Sequence, residues 1–224
     1  MRNLILAMVA IASLAGCAAD PVWAPDEEVN AVRYREPGPA RLTLYTMVSN
    51  ETGSGGHSSL MINGSERVIF DPSGSFVHPA VPERNDVLFG ITPKIADVYT
   101  RYHARQTWHV VVQQIDVSPE TAELALKLAK ENGAVPNAYC ASATSRILQR
   151  LPGFGSLRPT MFPVKLEDEF RKIPGVRESV LHEYDSDDNS KLLEAWDPER
   201  FARNARARAA ADAEAAGKAK GKTN

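Results

Sequence analysis

The sequence predicts a mixed α+β domain built around an antiparallel sheet. Residues 41–48 and 108–117 alternate apolar and polar side chains, which is the two-residue period of a half-buried strand. Residues 57–62 and 67–71 are short apolar runs, and the Asn63-Gly64 pair between them is a strong β-hairpin signal. Other stretches carry capping residues followed by helical periodicity, so strands and helices are both expected in one chain.

Helices are predicted where a capping residue precedes apolar side chains at helical spacing. Thr92 is one such residue, and Ser118 followed by Pro119 is another, with Gly133 as the stop. Asn137 is expected to cap a helix that carries Cys140 in its first turn. The predicted helices are 93–103, 119–132, 138–151 and 163–172, and a last strand is predicted over 176–184. The stretch 72–92, rich in Pro, Gly and Ser, is expected to be a long surface loop.

Composition limits the possible functions. The chain has 224 residues, of which 43% are hydrophobic and 24% are charged, as expected for a soluble protein with a core. The net charge of -2 argues against a strongly basic nucleic-acid binder, so no nucleic acid is expected as a partner. Two cysteines cannot form a disulfide framework.

The N-terminus has the pattern of a secretory signal: Arg2, then an apolar stretch, then small residues. The run Leu14-Ala15-Gly16-Cys17 resembles the bacterial lipobox, whose cysteine becomes an acylated N-terminus. Lipid chains on Cys17 would anchor the protein to a membrane, and by resemblance Ala18 favours the outer membrane, facing the periplasm. The predicted segments are a signal peptide over 1–16, a Pro-rich tether over 17–40, one domain over 41–184, and an acidic turn with a frayed or disordered basic tail over 185–224.

Two residues are candidates for nucleophilic chemistry. His57 begins a strand directly after Gly55 and Gly56, and Cys140 lies in the first turn of a predicted helix. A helix N-terminus and a nearby imidazolium both stabilise a thiolate, and a thiolate-imidazolium pair attacks acyl carbons. The amides at the start of that helix are candidates for an oxyanion hole.

A third group is needed to orient the histidine, and Asp71 is the first candidate. His57 and Asp71 lie seven residues on either side of Gly64, so hairpin pairing is expected to place them close together. His78 is an alternative for this role, and Tyr45 is a candidate for an oxyanion donor. A simple turn cap is the structural alternative for Asp71, and a small core residue is the alternative for Cys140.

Metal sites are not expected, because the sequence has neither a His-x-x-x-His nor a Cys-x-x-Cys pair. The acidic run 185–189 departs from a calcium-binding loop, since Ser190 and Trp196 stand where glycine and glutamate are required. No cofactor is expected.

The motifs resemble those of the circularly permuted NlpC/P60 group of papain-like proteins, which includes YaeF/YiiX-type bacterial proteins and lecithin-retinol acyltransferase relatives. The resemblance covers roughly residues 41–150, and it is carried by three short runs: Gly56-His57-Ser58-Ser59-Leu60, Phe70-Asp71-Pro72 and Tyr139-Cys140-Ala141-Ser142. It implies a papain-like α+β fold in which a histidine hairpin packs against a cysteine-bearing helix. It also implies Cys140 as the nucleophile and His57 as the base.

The function expected on this basis is that of a cell-envelope thiol hydrolase that cleaves an amide bond, with peptidoglycan stem peptides as substrate and a Cys140–His57–Asp71 mechanism. Two alternatives remain open. One is a lipid ester hydrolase or acyltransferase of the same fold, and the other is a non-catalytic binding lipoprotein of the envelope.

Overall fold

The computed structural model describes Ala19 and residues 21–194. The predicted signal peptide, the predicted lipidation site at Cys17 and the predicted basic tail beyond residue 194 lie outside these residues. Within the described part of the chain, none of the helices is both long enough and apolar enough to cross a bilayer.

The fold is α+β, as the sequence predicts, and its centre is a single antiparallel sheet. In chain order the strands are β1 (Arg41–Ser49), β2 (Gly55–Asn63), β3 (Arg67–Phe70), β4 (Glu83–Arg84), β5 (Val87–Leu88), β6 (Trp108–Asp116) and β7 (Arg177–Leu181). Their order across the sheet is β4-β5-β3-β2-β1-β6-β7. The long strand β1 lies between β2 and β6, and every neighbouring pair is antiparallel.

The helices in the described residues are α1 (Asp26–Ala31), α2 (Pro93–His103), α3 (Pro119–Glu131), α4 (Cys140–Gln149), α5 (Pro163–Arg171) and α6 (Ser190–Glu194). Two of the predicted caps are confirmed. The Thr92 side chain accepts a hydrogen bond from the Ile95 amide, and the Ser118 side chain accepts one from the Thr121 amide. In both helices proline occupies the first turn, where its missing N–H costs nothing.

Alternation along the strands divides the core into two layers, one on each face of the sheet. On the first face, apolar residues of α3, α4 and α5 pack against side chains such as Leu44 and Leu60. On the second face, α2 packs against the intervening side chains, such as Tyr45 and Met61. The sheet is therefore covered by helices on both sides.

The β2–β3 hairpin is confirmed, but its register differs from the predicted one. Asn63 pairs with Arg67, and Leu60 with Phe70, so the hairpin is centred on Ser65 rather than Gly64. Extrapolating this register sets Asp71 opposite Ser59 instead of His57. Because His57 and Ser59 are two residues apart, their side chains share a face of the strand, and Asp71 is a diagonal neighbour of His57.

The prediction of a surface loop over 72–92 is wrong. The stretch contains β4 and β5, joined by a turn in which Asn85 and Asp86 both have positive φ, as a type I′ turn requires. Apolar side chains of this stretch, Phe76 and Val81 among them, are buried in the second-face core. Their hydrophobic burial outweighs the loop-like composition of the segment.

Both segments that flank the predicted domain pack onto it. Residues 21–40 were expected to form an extended tether, but they contain α1, and a bridge joins Trp23 to Arg84. At the other end, the acidic run 185–189 bonds to the loop after α2, where Asp187 accepts from the amide of Thr107 at 3.1 Å. We call residues 185–194 the C-terminal strap.

Candidate active site

The first strand of the hairpin fixes the position of His57. A side chain at Gly56 would lie 2.5 Å from the Trp108 ring, and one at Gly55 would lie 2.7 Å from Pro163. Because neither glycine has a side chain, β6 and α5 approach this part of β2 closely. Trp108 and Pro163 therefore pack against the two residues of β2 that directly precede His57.

Asp71 directly follows β3 and is buried. Nε2 of His57 donates a hydrogen bond to Oδ1 of Asp71 at 2.7 Å. Gly74 covers the other carboxylate oxygen, because a Cβ at this position would lie 2.0 Å from Oδ2 of Asp71. The diagonal placement on the hairpin is therefore close enough for a direct contact between the two side chains.

Cys140 is the first residue of α4 and is buried. The predicted cap is wrong: Asn137 lies in the preceding turn, Tyr139 occupies the N-cap position, and no side chain caps the helix. Ala138 adopts a φ of 69°, which turns the chain sharply into the helix. The thiol therefore lies at the N-terminal end of the helix, where backbone amides have no partner within the helix.

Helix α4 packs against β2, and this packing brings Cys140 close enough to His57 for each residue to shift the pKa of the other. Because Nε2 of the imidazole is bonded to Asp71, Nδ1 is the ring nitrogen left to interact with the thiol. The pairing of β3 with β2 ends at Leu60, and the Ser58 amide beyond that point lowers the pKa of the thiol. The Ala141 amide at the start of α4 lowers that pKa as well.

The three ionisable groups favour one another's charged forms. Burial by itself lowers the pKa of His57, but the Asp71 carboxylate and the Cys140 thiol outweigh it and raise that pKa to about 10. Burial raises the pKa of Cys140, yet the imidazole of His57 and the two amides lower it below its ordinary value. Burial also raises the pKa of Asp71, and the charge of His57 brings it below its ordinary value. These opposite shifts of His57 and Cys140 favour the thiolate-imidazolium form of the pair.

Sequence reasoning missed Tyr99, which belongs to the site. Its hydroxyl lies 2.6 Å from Oδ1 of Asp71 and 2.7 Å from Oγ of Ser59. A carboxylate only accepts, so the tyrosine donates to Asp71 and receives a hydrogen bond from Ser59. The signal was the helical spacing of Tyr99 in α2, which predicts a core side chain but does not reveal what its hydroxyl contacts.

His103 is a second missed residue, and its ring stacks on that of His57 at a centroid distance of 6.0 Å. Burial lowers the pKa of His103 to about 4, so its ring is neutral at physiological pH. A neutral ring must donate from Nδ1 to the Tyr99 carbonyl, 2.9 Å away. His57 is therefore the charged histidine of the stacked pair.

The two weaker candidates have other partners in the structure. The Tyr45 hydroxyl lies 3.7 Å from the Met61 sulfur, on the side of Ser59 remote from His57, so the proposed oxyanion role is wrong. His78 is buried against the ring of Phe76, and its Nδ1 accepts from the Ala80 amide at 3.1 Å. Asp71, rather than His78, is the residue bonded to His57.

Among the residues described, no group of three or more His, Cys, Asp or Glu side chains is arranged to hold a metal ion. What the fold does define is an α+β domain in which a half-buried His57 lies between the buried Asp71 and the buried Cys140 at the N-terminus of α4. No protein-family model, curated protein or solved structure matches the chain.

Proposed function

We propose that this protein is a thiol hydrolase with a permuted, NlpC/P60-like papain fold, and that it cleaves an amide bond. One observation carries the proposal. His57 is bonded through Nε2 to the Asp71 carboxylate, and it interacts electrostatically with Cys140 at the start of α4. This is the arrangement of nucleophile, base and orienting group that acyl transfer requires.

The reaction begins with attack of the Cys140 thiolate on the carbonyl carbon. As the C–N bond breaks, His57 transfers its proton to the leaving amine, and the acyl group remains on sulfur as a thioester. Water then attacks the thioester, gives a proton to His57, and releases a carboxylic acid. The net change is amide plus water to acid plus amine, and Asp71 keeps the ring oriented throughout.

The first turn of α4 supports stabilisation of the tetrahedral intermediate. The free amides at a helix N-terminus and the helix dipole both favour negative charge there. The developing oxyanion would lie at the same helix end that stabilises the thiolate. Backbone amides, rather than the hydroxyl of Tyr45, would then donate hydrogen bonds to the oxyanion.

Peptidoglycan stem peptides are the proposed substrates, because they supply amide bonds in the compartment to which the N-terminal signal directs the chain. Anchoring through Cys17, outside the described residues, would place the site at the bacterial envelope and the membrane. A lipid ester is the second candidate substrate. It is favoured by the exposed aromatic side chain of Tyr139, which directly precedes Cys140.

The test uses the full chain in detergent micelles with two substrates, purified muropeptides and phospholipid, and mass spectrometry of the products. We expect new amine and carboxylate ends on the muropeptides, and no products with Cys140→Ser or His57→Ala. Circular dichroism confirms that both variants remain folded. Free fatty acid instead of cleaved peptide would identify the lipid alternative. If neither the muropeptide nor the phospholipid is cleaved, the result would favour the alternative of a non-catalytic binding protein.

A further inference from the structure

A cavity of about 520 Å³ lies on the histidine side of the catalytic pair. It is lined by His57 and Gly56, by residues at the end of α2 and by residues of the C-terminal strap. This volume lies in the range of sites that hold small-molecule ligands, about 300–1,000 Å³. Polar and charged side chains that line the cavity are Ser73, Ser75, His103, Arg105, Thr107, Asp187 and Asn189.

Arg105 is the only arginine or lysine among the residues that line this cavity, and its side chain is only 7% exposed. Its Nε donates to Oδ1 of Asn189 at 2.7 Å. Its ion pair is with Asp185, at 3.5 Å, and that carboxylate is 71% exposed to solvent. Within the described part of the chain, Nη2 of Arg105 is buried and has no hydrogen-bond partner.

The other carboxylates nearby are bonded elsewhere. Asp187 accepts from the amide and the hydroxyl of Thr107, at 3.1 and 2.6 Å. Asp188 accepts from the Ser190 amide at 3.0 Å. The charge of Arg105 still lowers the pKa of Asp187 and of Asp188, but its direct ion pair is the long one with the exposed Asp185. The guanidinium also keeps an unused Nη2 donor, which is costly for a buried group.

We propose that the cavity binds the leaving-group portion of the substrate, and that Arg105 binds a carboxylate or phosphate on it. This inference rests on the proposed hydrolase function, because His57 must reach the leaving atom in order to protonate it. The portion of the substrate released first therefore lies on the His57 side, which is the side of the cavity. A substrate anion would displace the loosely held Asp185 and form the bidentate contact that guanidinium favours.

The two sources of such an anion are a peptide carboxylate and a phospholipid headgroup, and model esters separate them. We would compare 4-acetoxybenzoate, its neutral methyl ester and 4-acetoxyphenyl phosphate, which share an acetyl group and a phenolic leaving group. The measured quantity is kcat/KM for each anionic ester relative to the neutral one. Because this ratio is compared between proteins, differences in intrinsic ester reactivity cancel.

We expect Arg105→Gln to lower the ratio for an anionic ester about tenfold or more, while kcat/KM for the neutral ester changes less than about twofold. The anion whose ratio falls further identifies the source. Arg105→Lys, which keeps the charge, should retain part of the preference. An unchanged ratio in Arg105→Gln would overturn the proposal.

One variant controls for the removal of a positive charge near the cavity. Arg101→Gln removes an exposed arginine of α2 that pairs with Asp97 and Glu183, and it should leave the ratio unchanged. A charge preference lost equally in Arg101→Gln would assign the effect to the general charge of this face and contradict the specific role of Arg105.

Binding tests the site even if no ester is cleaved. Calorimetric titration of full-length Cys140→Ser with 4-hydroxybenzoate and with inorganic phosphate should show an affinity that Arg105→Gln weakens about tenfold. Such binding without turnover of any ester would support the anion site and contradict the proposed hydrolase function. Equal affinity in the two proteins, or no binding, would overturn the anion site itself.

Discussion

Tyr99 and His57 hydrogen-bond the same oxygen atom of Asp71, at 2.6 and 2.7 Å. One donor comes from α2 and the other from β2, so a single carboxylate links the second-face helix to the hairpin. With Ser59 at one end, this forms a continuous chain of four hydrogen-bonded side chains, and Cys140 interacts electrostatically with its His57 end. The orientation of the imidazole is thereby fixed from two elements.

We predict that Tyr99→Phe destabilises the protein by about 1.5–3 kcal/mol, because it removes a buried hydrogen bond to a charged acceptor. Urea unfolding measures this effect. Tyr102→Phe is the matched control on the same helix: its hydroxyl donates to the Ser75 carbonyl at 3.0 Å, so its removal should cost about 0.5–1.5 kcal/mol. Equal costs for the two variants would contradict a charged Asp71.

Gly74→Ala should sharply lower turnover of any substrate. The added Cβ would overlap Oδ2 of Asp71, so the carboxylate must move away from His57. Gly155→Ala is the control, since a Cβ there meets nothing within 4 Å. Steady-state kinetics of the two variants measure this loss of turnover. Full activity in Gly74→Ala would show that turnover does not depend on the position of Asp71.

The contribution of His57 to stability should fall as pH rises. Its pKa is raised to about 10 in the folded protein, against about 6.5 when free. Stabilisation from its charge is therefore complete below pH 6.5 and is lost as pH rises through about 10. On the acid side, the lowered pKa of Asp71 means that its contribution is lost as pH falls through that pKa.

Urea unfolding of the wild type and His57→Gln measures this dependence. The difference in the free energy of unfolding should be largest near pH 5–6 and should shrink steadily towards pH 10. His109→Gln serves as the control, because burial lowers the pKa of His109 and no such loss is expected with rising pH. A difference for His57→Gln that grows between pH 6 and 10 would argue against its ion pairing.

Most secondary structure was predictable because local signals and tertiary packing agree. The Thr92 and Ser118 caps begin helices as expected, and the Asn63-Gly64 signal marks a real hairpin. The failures occurred where packing overrides composition. The segment 72–92 has the residues of a loop, but burial of side chains such as Phe76 folds it against the sheet.

The site was only partly predictable, for geometric reasons. The spacing about the hairpin identified His57 and Asp71 as neighbours, although the centre of the hairpin is displaced by one residue and Asp71 therefore falls opposite Ser59. Tyr99 and Arg105 could not be found in this way. Their roles depend on α2 crossing the second face of the sheet, and no local pattern encodes that placement.

The central claim is that His57 activates the thiol of Cys140, and alkylation by iodoacetamide tests it most directly. In a Cys17→Ser chain Cys140 is the sole thiol, so the alkylation rate against pH reports its thiolate. We predict a midpoint well below the value of a free thiol, about 8.5, and a plateau that extends towards pH 10. His57→Ala should abolish the shift, whereas His109→Ala should not. A midpoint near or above 8.5, or one that is insensitive to His57→Ala, would contradict the account.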